Sequence, residues 1–377
     1  MRALASRIKV LAEKASKRVG EPIKIMNFCG THEYTITYYG LRSLMPPQVE
    51  LVAGPGCPVC VTPAWYIDAA VKLAIKGVRV YAYGDVFRLP GSTRGVGGAR
   101  SLEEARAQGG DVRVVYSFRD ALEEASRDGK ESVFLAIGFE TTVPSVASPL
   151  VRQAVPRNLR VLCAYRLTPP ILSYVFKAHR ENPIRGVIAP GHVSAIIGAG
   201  AWRFVAEEHG IPVVVAGFEP LDVMLAVAEI LRQLSLGEAR LFNEYSRVVS
   251  WEGNPRAKSV MNECFRIDDA WWRGIGLVPR SGLKLRTEYS EYDAEFYYRD
   301  ELKSITSRDE LPAGCRCGEV VLGLARPVDC PLFMKRCTPE TPYGPCMVSS
   351  EGSCSIWARF GGGGLAEELA RSLGLLE

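Results

Sequence analysis

The chain has 377 residues, enough for two or three domains with buried cores, so a short fold that depends on cross-links is excluded. Forty-six lysines and arginines stand against 42 aspartates and glutamates, without a block of like charges, which argues against a protein that binds nucleic acid or a membrane surface. Hydrophobic residues make up 47%, so the chain is not disordered. Neither a membrane-spanning apolar run nor a signal peptide is evident, and we expect a cytoplasmic protein.

An amphipathic helix is predicted over residues 1–20, and from residue 21 to about 236 short β-branched runs alternate with helical stretches. The runs are apolar on both faces, as strands covered by helices must be. The predicted strands are residues 23–29, 49–53, 78–83, 112–116, 133–137, 161–165, 186–189 and 213–216. The main predicted helices are residues 64–76, 102–108, 195–208 and 221–234.

This alternation predicts an α/β fold of two similar doubly wound parallel-sheet domains. The cysteine-rich tail that follows them predicts a smaller C-terminal Fe-S cluster domain. A faint repeat, strand then Gly-Phe-Glu then helix start, occurs at residues 136–144 and again 79 positions later. The expected domains after the first helix are residues 21–148, residues 149–236, and a helical and cluster-binding domain over residues 237–377 that ends in an amphipathic helix from about Leu365. Facing domains would bring their strand-end loops to one crevice.

The eleven cysteines are clustered, and in a long chain without a signal peptide they favour metal or redox chemistry over structural disulfides. Cys330, Cys337, Cys346 and Cys354 are separated by six, eight and seven residues, rich in Pro and Gly and without histidine. This pattern suits a [4Fe-4S] cluster, in which each iron takes one thiolate. Zinc, which usually uses tighter CxxC knuckles, and ordinary core cysteines are the alternatives.

Two further motifs follow predicted strands. Cys57-Pro-Val-Cys60 lies between a strand and a helix, whose N-terminus favours a thiolate, so we predict a reversible dithiol/disulfide; half a zinc knuckle or a rigid turn are the alternatives. Cys29-Gly-Thr-His32 should place a thiol and an imidazole at the same sheet edge. These two side chains are either metal ligands or a packed thiol and a structural histidine.

Polar residues at other strand ends complete a predicted crevice. His192 and the carboxylates of Glu140 and Glu219 are its members, although a carboxylate at a helix start is often only a cap. Cys315 and Cys317 are either an auxiliary redox pair or two buried thiols. The chain lacks the P-loop, GxGxxG, GxSxG and HExxH motifs that a nucleotide-driven enzyme or a common hydrolase would need.

Five motifs together resemble the HypD family of hydrogenase maturation factors, in order and spacing, from about residue 21 to 357. They lie at residues 26–32, 54–63, 138–142, 190–194 and 330–354. The resemblance implies a scaffold on which the Fe(CN)2CO unit of [NiFe]-hydrogenases is assembled with the small chaperone HypC and the cyanide donor HypE. Cys29 would hold this iron jointly with a HypC cysteine, and His32 would lie beside it.

The resemblance also implies roles for the other motifs. Cys57 and Cys60 would be the redox-active pair, and the four tail cysteines would be the ligands of the [4Fe-4S] cluster. If the strand-end loops converge in the predicted crevice, the iron would also have polar neighbours able to hydrogen-bond cyanide or move protons: His32, Glu140, His192 and Glu219. Asn27, Glu33 and the segment 355–360 depart from the family's usual pattern. The competing hypotheses are a cluster-dependent oxidoreductase that acts on the disulfides or thiols of a small protein, and a zinc-bound structural adaptor.

Overall fold

A computed structural model describes residues 2–92, 95–178, 184–306 and 311–361 of the chain. Within these ranges the strands are β1 (Ile23–Cys29), β2 (Val49–Gly56), β3 (Arg79–Ala82), β4 (Val112–Val114), β5 (Ser132–Gly138), β6 (Leu159–Tyr165), β7 (Ile184–Pro190), β8 (Val213–Ala216), β9 (Leu241–Asn243), β10 (Phe265–Trp272) and β11 (Gly276–Leu285). All eight predicted strands are therefore confirmed, with small differences at their ends.

The helices are mostly short, and several consist of a single turn. They are α1 (Arg2–Val19), α2 (Gly30–Tyr38), α3 (Pro58–Val61), α4 (Ala64–Ile75), α5 (Gly84–Phe87), α6 (Leu102–Ala107), α7 (Phe118–Asp128), α8 (Val143–Val151), α9 (Thr168–Ala178), α10 (Gly191–Ile197), α11 (Arg203–Glu207), α12 (Pro220–Leu236), α13 (Pro255–Cys264), α14 (Ala294–Tyr297), α15 (Arg299–Leu302), α16 (Cys317–Val321), α17 (Pro345–Val348) and α18 (Ser353–Phe360). Four 3-10 helices lie at Leu41–Leu44, Ala199–Trp202, Thr287–Tyr292 and Pro327–Asp329. None of the described helices is long and apolar enough to cross a membrane. The helix predicted from Leu365 lies outside the described residues.

The first sheet, sheet A, is parallel with strand order β2-β1-β7-β8-β9. Helices α1 and α12 pack together and cover one of its faces. Ile8 of α1, Ile25 of β1 and Val227 of α12 are all fully buried in the same apolar cluster. The apolar face of the predicted N-terminal helix is thus buried by the sheet rather than exposed, which is the usual role of an amphipathic helix in an α/β fold.

The second sheet, sheet B, is also parallel, with order β4-β3-β5-β6. Helices α7, α8 and α13 pack on one side of it, and α4 and α6 pack on the other. The ring centroids of Phe118 and Phe134 lie 5.0 Å apart in the apolar cluster between sheet B and helices α7, α8 and α13. The predicted fold class, two doubly wound parallel sheets with a C-terminal cysteine cluster, is confirmed.

The strands do not divide between the two sheets at the predicted boundary after residue 148. β5 and β6 lie on either side of it and pair along their whole length. β1 and β2 belong instead to sheet A, with β7 to β9, so sheet B is formed by one continuous segment inserted between them. Pairing between β1 and β7 links residues far apart in sequence, which local patterns do not encode.

Beyond sheet A the chain forms an antiparallel hairpin of β10 and β11, which sequence analysis did not predict. Strand β11 packs against β6 and α9, and Trp272 is buried with its indole N–H donating to Ser281 Oγ at 2.7 Å. Asp268 and Asp269 interrupt the apolar pattern of β10, so the period-2 signal is weak there. The remaining described segment, residues 311–361, is the cysteine-rich region and contains only helical turns and short helices.

Candidate metal and redox site

The Cys-Gly-Thr-His and CxxC motifs begin at two adjacent strand ends. Cys29 is the last residue of β1 and pairs in register with Gly56, the last residue of β2, directly before Cys57. A Cβ atom at position 56 would lie 2.6 Å from Cys29 Cα, so only glycine permits this close approach. The predicted shared edge for the two motifs is confirmed.

Cys29 caps the N-terminus of α2, and its sulfur accepts a hydrogen bond from Thr31 N at 3.3 Å. The side chain is 3% exposed. Burial raises the pKa of the thiol to about 12, and the Glu351 carboxylate acts in the same direction. A thiolate at this position therefore needs a bound cation to stabilise it, which suits a residue whose partner is a metal ion.

The buried His32 and the partly buried His192 pack against one phenylalanine. The rings of His32 and His192 lie 4.8 Å and 5.2 Å from the Phe218 ring, measured between centroids. His32 Nε2 lies 2.8 Å from the carbonyl oxygen of Gly217, which assigns the proton to Nε2, and Nδ1 has no partner among the described residues. Burial lowers the pKa of both histidines to about 4, so both are neutral near pH 7.

The second Gly-Phe-Glu loop, residues 217–219, also contacts α2. Thr35 Oγ1 donates to the Phe218 carbonyl oxygen at 2.7 Å, in addition to the His32 contact. Glu219 itself is exposed and caps α12 in a reciprocal arrangement with Asp222, whose Oδ2 accepts from Glu219 N at 3.2 Å. The loop therefore reaches the Cys-Gly-Thr-His motif as predicted, while the Glu219 carboxylate has the capping role that was the alternative.

Glu140, in the first Gly-Phe-Glu loop, is a buried carboxyl group. Its Oε1 accepts from Thr168 N at 2.8 Å and from Thr168 Oγ1 at 3.2 Å. Its Oε2 is buried without a partner among the described residues. Burial raises the pKa of Glu140 to about 7, which makes it a group that exchanges a proton near neutral pH.

A cleft of about 480 Å³ lies between the carboxyl ends of the two sheets. Its lining comes from both sheets and from the cysteine-rich region, and includes Gly56, Pro58, Tyr83, Asp85, Phe139, Thr142, His192, Ser350 and Glu351. The predicted crevice between two α/β units is thus present. Of the predicted crevice residues only His192 lines this cleft directly. Four others do not: Cys29, His32, Glu140 and Glu219.

Cys57 and Cys60 form a disulfide bond, with their Cα atoms 5.3 Å apart. Both are buried, and Cys57 is the N-cap of α3. Helix α3 packs against β5, against α16, which starts at Cys317, and against α17, which contains Cys346. The disulfide therefore lies on the side of sheet A that faces the cysteine-rich region.

Three thiols of that region form a compact buried group. The sulfur atoms of Cys317, Cys346 and Cys354 all lie within 4.8 Å of one another. Cys315 Sγ is 3.2 Å from Cys317 Sγ. Hydrogen bonds with Cys317 and Cys346 lower the pKa of Cys354, which favours its thiolate. Clustered sulfur donors of this kind are typical of sites for iron–sulfur clusters or soft metals.

The structure brings together only part of the predicted ligand set. Cys346 and Cys354 are in the group, but Cys337 Sγ instead accepts from Tyr343 N at 3.3 Å and Gly344 N at 3.4 Å. Cys330 Sγ lies 3.9 Å from the Gly314 carbonyl oxygen. Cys317 was not in the predicted set.

The room for these sulfurs is provided by a glycine. A Cβ atom at position 344 would lie 2.6 Å from Cys315 Sγ and 2.9 Å from Cys317 Sγ. The Gly344-Pro345-Cys346 sequence, together with Cys315-Arg316-Cys317, is the signal that could have included Cys317 among the ligands. A compact group of sulfurs of this kind suits a thiolate-bound metal cluster.

The fold and the site together define an α/β protein with a buried disulfide beside a group of cysteines that could hold a metal. Comparison with known proteins agrees: the family model "HypD: Hydrogenase formation hypA family" matches residues 1–361. Hydrogenase maturation factor HypD2 of Bradyrhizobium diazoefficiens is 44% identical over 369 residues, covering 94% of this chain and 93% of the relative. Hydrogenase maturation factor HypD of Cupriavidus necator is 42% identical over 359 residues, covering 92% of each chain. A putative hydrogenase expression/formation protein of Methanocaldococcus jannaschii is 41% identical, covering 94% of this chain and 95% of the relative. The chain belongs to the HypD family of hydrogenase maturation factors.

Proposed function

We propose that this protein is the cytoplasmic scaffold on which the Fe(CN)2CO unit of [NiFe]-hydrogenases is assembled together with HypC and HypE. The observation that carries the proposal is the succession of three sulfur sites. A lone buried thiol, Cys29, pairs in register with the residue before the Cys57–Cys60 disulfide, and the helix of that disulfide packs on the helices of Cys317 and Cys346. This order supports an assignment in which a metal-binding thiol, a two-electron store and a cluster site act next to one another.

Iron is the substrate of this scaffold, and Cys29 is its proposed ligand on this chain. A thiolate is a soft donor that retains low-spin iron, and a cysteine of the small chaperone would supply the second sulfur. His192, whose ring lines the cleft, would donate a hydrogen bond to a cyanide nitrogen. The neighbouring His32 and the buried Glu140 would hold or move protons, while Glu219 would act only through its helix cap.

The cysteine-rich region is the proposed site of a [4Fe-4S] cluster, which supplies single electrons when bound. The ligand set inferred from spacing is Cys330, Cys337, Cys346 and Cys354, and Cys317 is the further thiol that the geometry adds. On the disulfide side, two electrons and two protons convert the Cys57–Cys60 bond into two thiols. The contact of α3 with α16 and α17 supports electron transfer between these sites.

The test of the scaffold function is infrared spectroscopy of the anaerobic complex with the small chaperone. Cys29→Ala should remove the cyanide and carbonyl stretching bands because the iron loses its thiolate on this chain. Cys163→Ala is the matched control, since Cys163 is a buried thiol in β6 that donates to the Leu283 carbonyl oxygen. Bands of full intensity and unchanged frequency in Cys29→Ala would show that the iron is held elsewhere.

The contact between the disulfide and the cysteine group also favours a second function, a cluster-dependent reductase acting on the disulfides or thiols of a small protein. The two functions differ in stoichiometry. A reductase turns over without a stable partner, whereas a scaffold remains bound to its small chaperone and carries iron beyond that of the cluster. Size-exclusion chromatography with iron analysis of each peak separates them.

A further inference from the structure

Glu33 is a buried carboxylate with an unusually complete set of hydrogen bonds. It lies in the first turn of α2, four residues after Cys29, and is 1% exposed. Arg42 Nη2 donates to both of its oxygens at 2.8 Å, and Asn27 Nδ2 donates to Oε2 at 2.9 Å. A buried charge persists only when it is paired and hydrogen-bonded in this way, so the geometry around Glu33 is strongly specified.

One of these donors comes from the cysteine-rich region. The indole N–H of Trp357 donates to Glu33 Oε1. The guanidinium of Arg42 lies over the same indole ring, 4.9 Å from its centroid. Trp357 follows Cys354 by one turn of α18. Glu33 therefore joins the helix that begins at Cys29 directly to the helix that carries a cysteine of the metal-binding group.

The same two segments meet again at the start of α2. A side chain at Gly30 would overlap the carbonyl oxygen of Glu351, so the backbone of the cysteine-rich region lies directly against the residue after Cys29. Asp85 holds that segment from the other side of the cleft, since its Oδ2 accepts from Ser350 N at 3.0 Å and from Ser350 Oγ at 2.9 Å. The position of residues 349–357 therefore determines how closely the Cys29 loop is enclosed.

We propose that Glu33 is a positioning residue, which uses its hydrogen bond from Trp357 to hold the Cys29 thiol in place only when the cysteine-rich region is folded around its metal. Order at the cluster site and order at Cys29 are then linked equilibria, and each stabilises the other by the same free energy. The inference rests on the proposed role of Cys29, but it concerns the protein before any iron unit arrives. The cluster site thereby prepares the thiol that receives the iron.

The test measures how fast iodoacetamide alkylates Cys29 in the anaerobically purified full chain, by mass spectrometry of the Cys29 peptide. Trp357→Phe keeps the aromatic packing and removes the N–H donor. It should raise the alkylation rate about tenfold, the effect of losing one hydrogen bond to a charged group. Trp251→Phe is the matched control, because Trp251 is 43% exposed and its ring contacts Arg203 instead. Cys163, buried in β6, reports any global unfolding in the same sample.

The decisive comparison repeats the substitution in a chain that also carries Cys354→Ser. With the cluster site disrupted, the link is already broken, so Trp357→Phe should change the Cys29 rate less than twofold. An equal increase in both backgrounds, or a parallel increase at Cys163, would mean that Trp357 acts only through general stability and would overturn the proposal. Because the readout needs neither an iron unit on Cys29 nor the chaperone, it stands even if the Cys29→Ala infrared test gives a negative result.

Discussion

The two parallel sheets and the cysteine-rich region contrast in what stabilises them. The inner strands of sheets A and B are covered on both faces by helices and belong to large apolar clusters, whereas the edge strands β4 and β9 are partly exposed. Residues 311–361 contain no strand and no helix longer than eight residues, and of their twelve buried apolar side chains five are cysteines. The sheets are stabilised by apolar burial, whereas we expect the cysteine-rich region to depend also on a metal bound by its sulfurs, in addition to its packing against the sheets.

The largest effect expected from this contrast is the loss of metal on Cys354→Ser. Anaerobic wild-type protein should be brown with about four irons and four sulfides per chain. The variant should lose both, because Cys354 is in the compact thiol group, and proteolytic cleavage should begin within residues 311–361. Iron and sulfide analysis with limited proteolysis measures this, and Cys163→Ser is the control. If Cys354→Ser kept its full iron content, a metal bound at Cys354 could not be what stabilises residues 311–361.

The complementary change is Leu162→Ala in β6, where the side chain is fully buried in sheet B. The truncation should lower the free energy of unfolding by about 2–5 kcal/mol through lost burial and a cavity. Iron per chain should stay as in wild type, since the thiol group is untouched. Chemical denaturation measures the free energy of unfolding. The control Leu236→Ala, at a position 53% exposed on α12, should change this free energy little. A fall in iron content would show that the two regions are not stabilised independently.

A smaller effect concerns pH and the buried carboxyl of Glu140. Its pKa in the folded chain is raised to about 7, above its usual 4.5, so the folded state binds the proton more tightly. Stability from this group is therefore present at low pH and is lost as pH rises from about 4.5 to about 7. Relative to wild type, Glu140→Gln should gain about 2–3 kcal/mol of unfolding free energy between pH 5 and 8. Glu219→Gln, at an exposed helix cap, should show no such trend. Parallel pH profiles for wild type and Glu140→Gln would contradict the burial explanation.

The same contrast explains which features could be predicted from the sequence. Strands such as Ile23–Cys29 and Val213–Ala216 are continuous apolar runs bounded by turn residues, so local patterns locate them to the residue. The sheet to which each strand belongs depends on pairing between distant residues, as for β1 with β7, and was not predictable. The hairpin of β10 and β11 was missed because charged residues interrupt its alternation.

At the site, the residues of the motifs could be predicted from the sequence, but the residues that contact them could not. The CxxC disulfide and the shared edge with Cys29 follow from strand ends and spacing. The place of Cys317 beside Cys346 and Cys354 depends on the close approach of two segments at Gly344, which the spacing of the cysteines alone does not encode. Likewise, the bond from Trp357 to Glu33 joins residues separated by most of the chain. Such contacts arise from tertiary packing alone.

The strands of sheet B lie in sequence between β2 and β7 of sheet A, and this arrangement determines the order in which parts of the site can fold during synthesis. Sheet B comes from one continuous segment that ends at Tyr165, so it can fold while the rest of the protein is still being made. Strand β1 receives its neighbour β7 only after residue 190 has emerged, and the contact with Trp357 comes later still. Cys29, near the start of the chain, is therefore fully enclosed only at the end of synthesis.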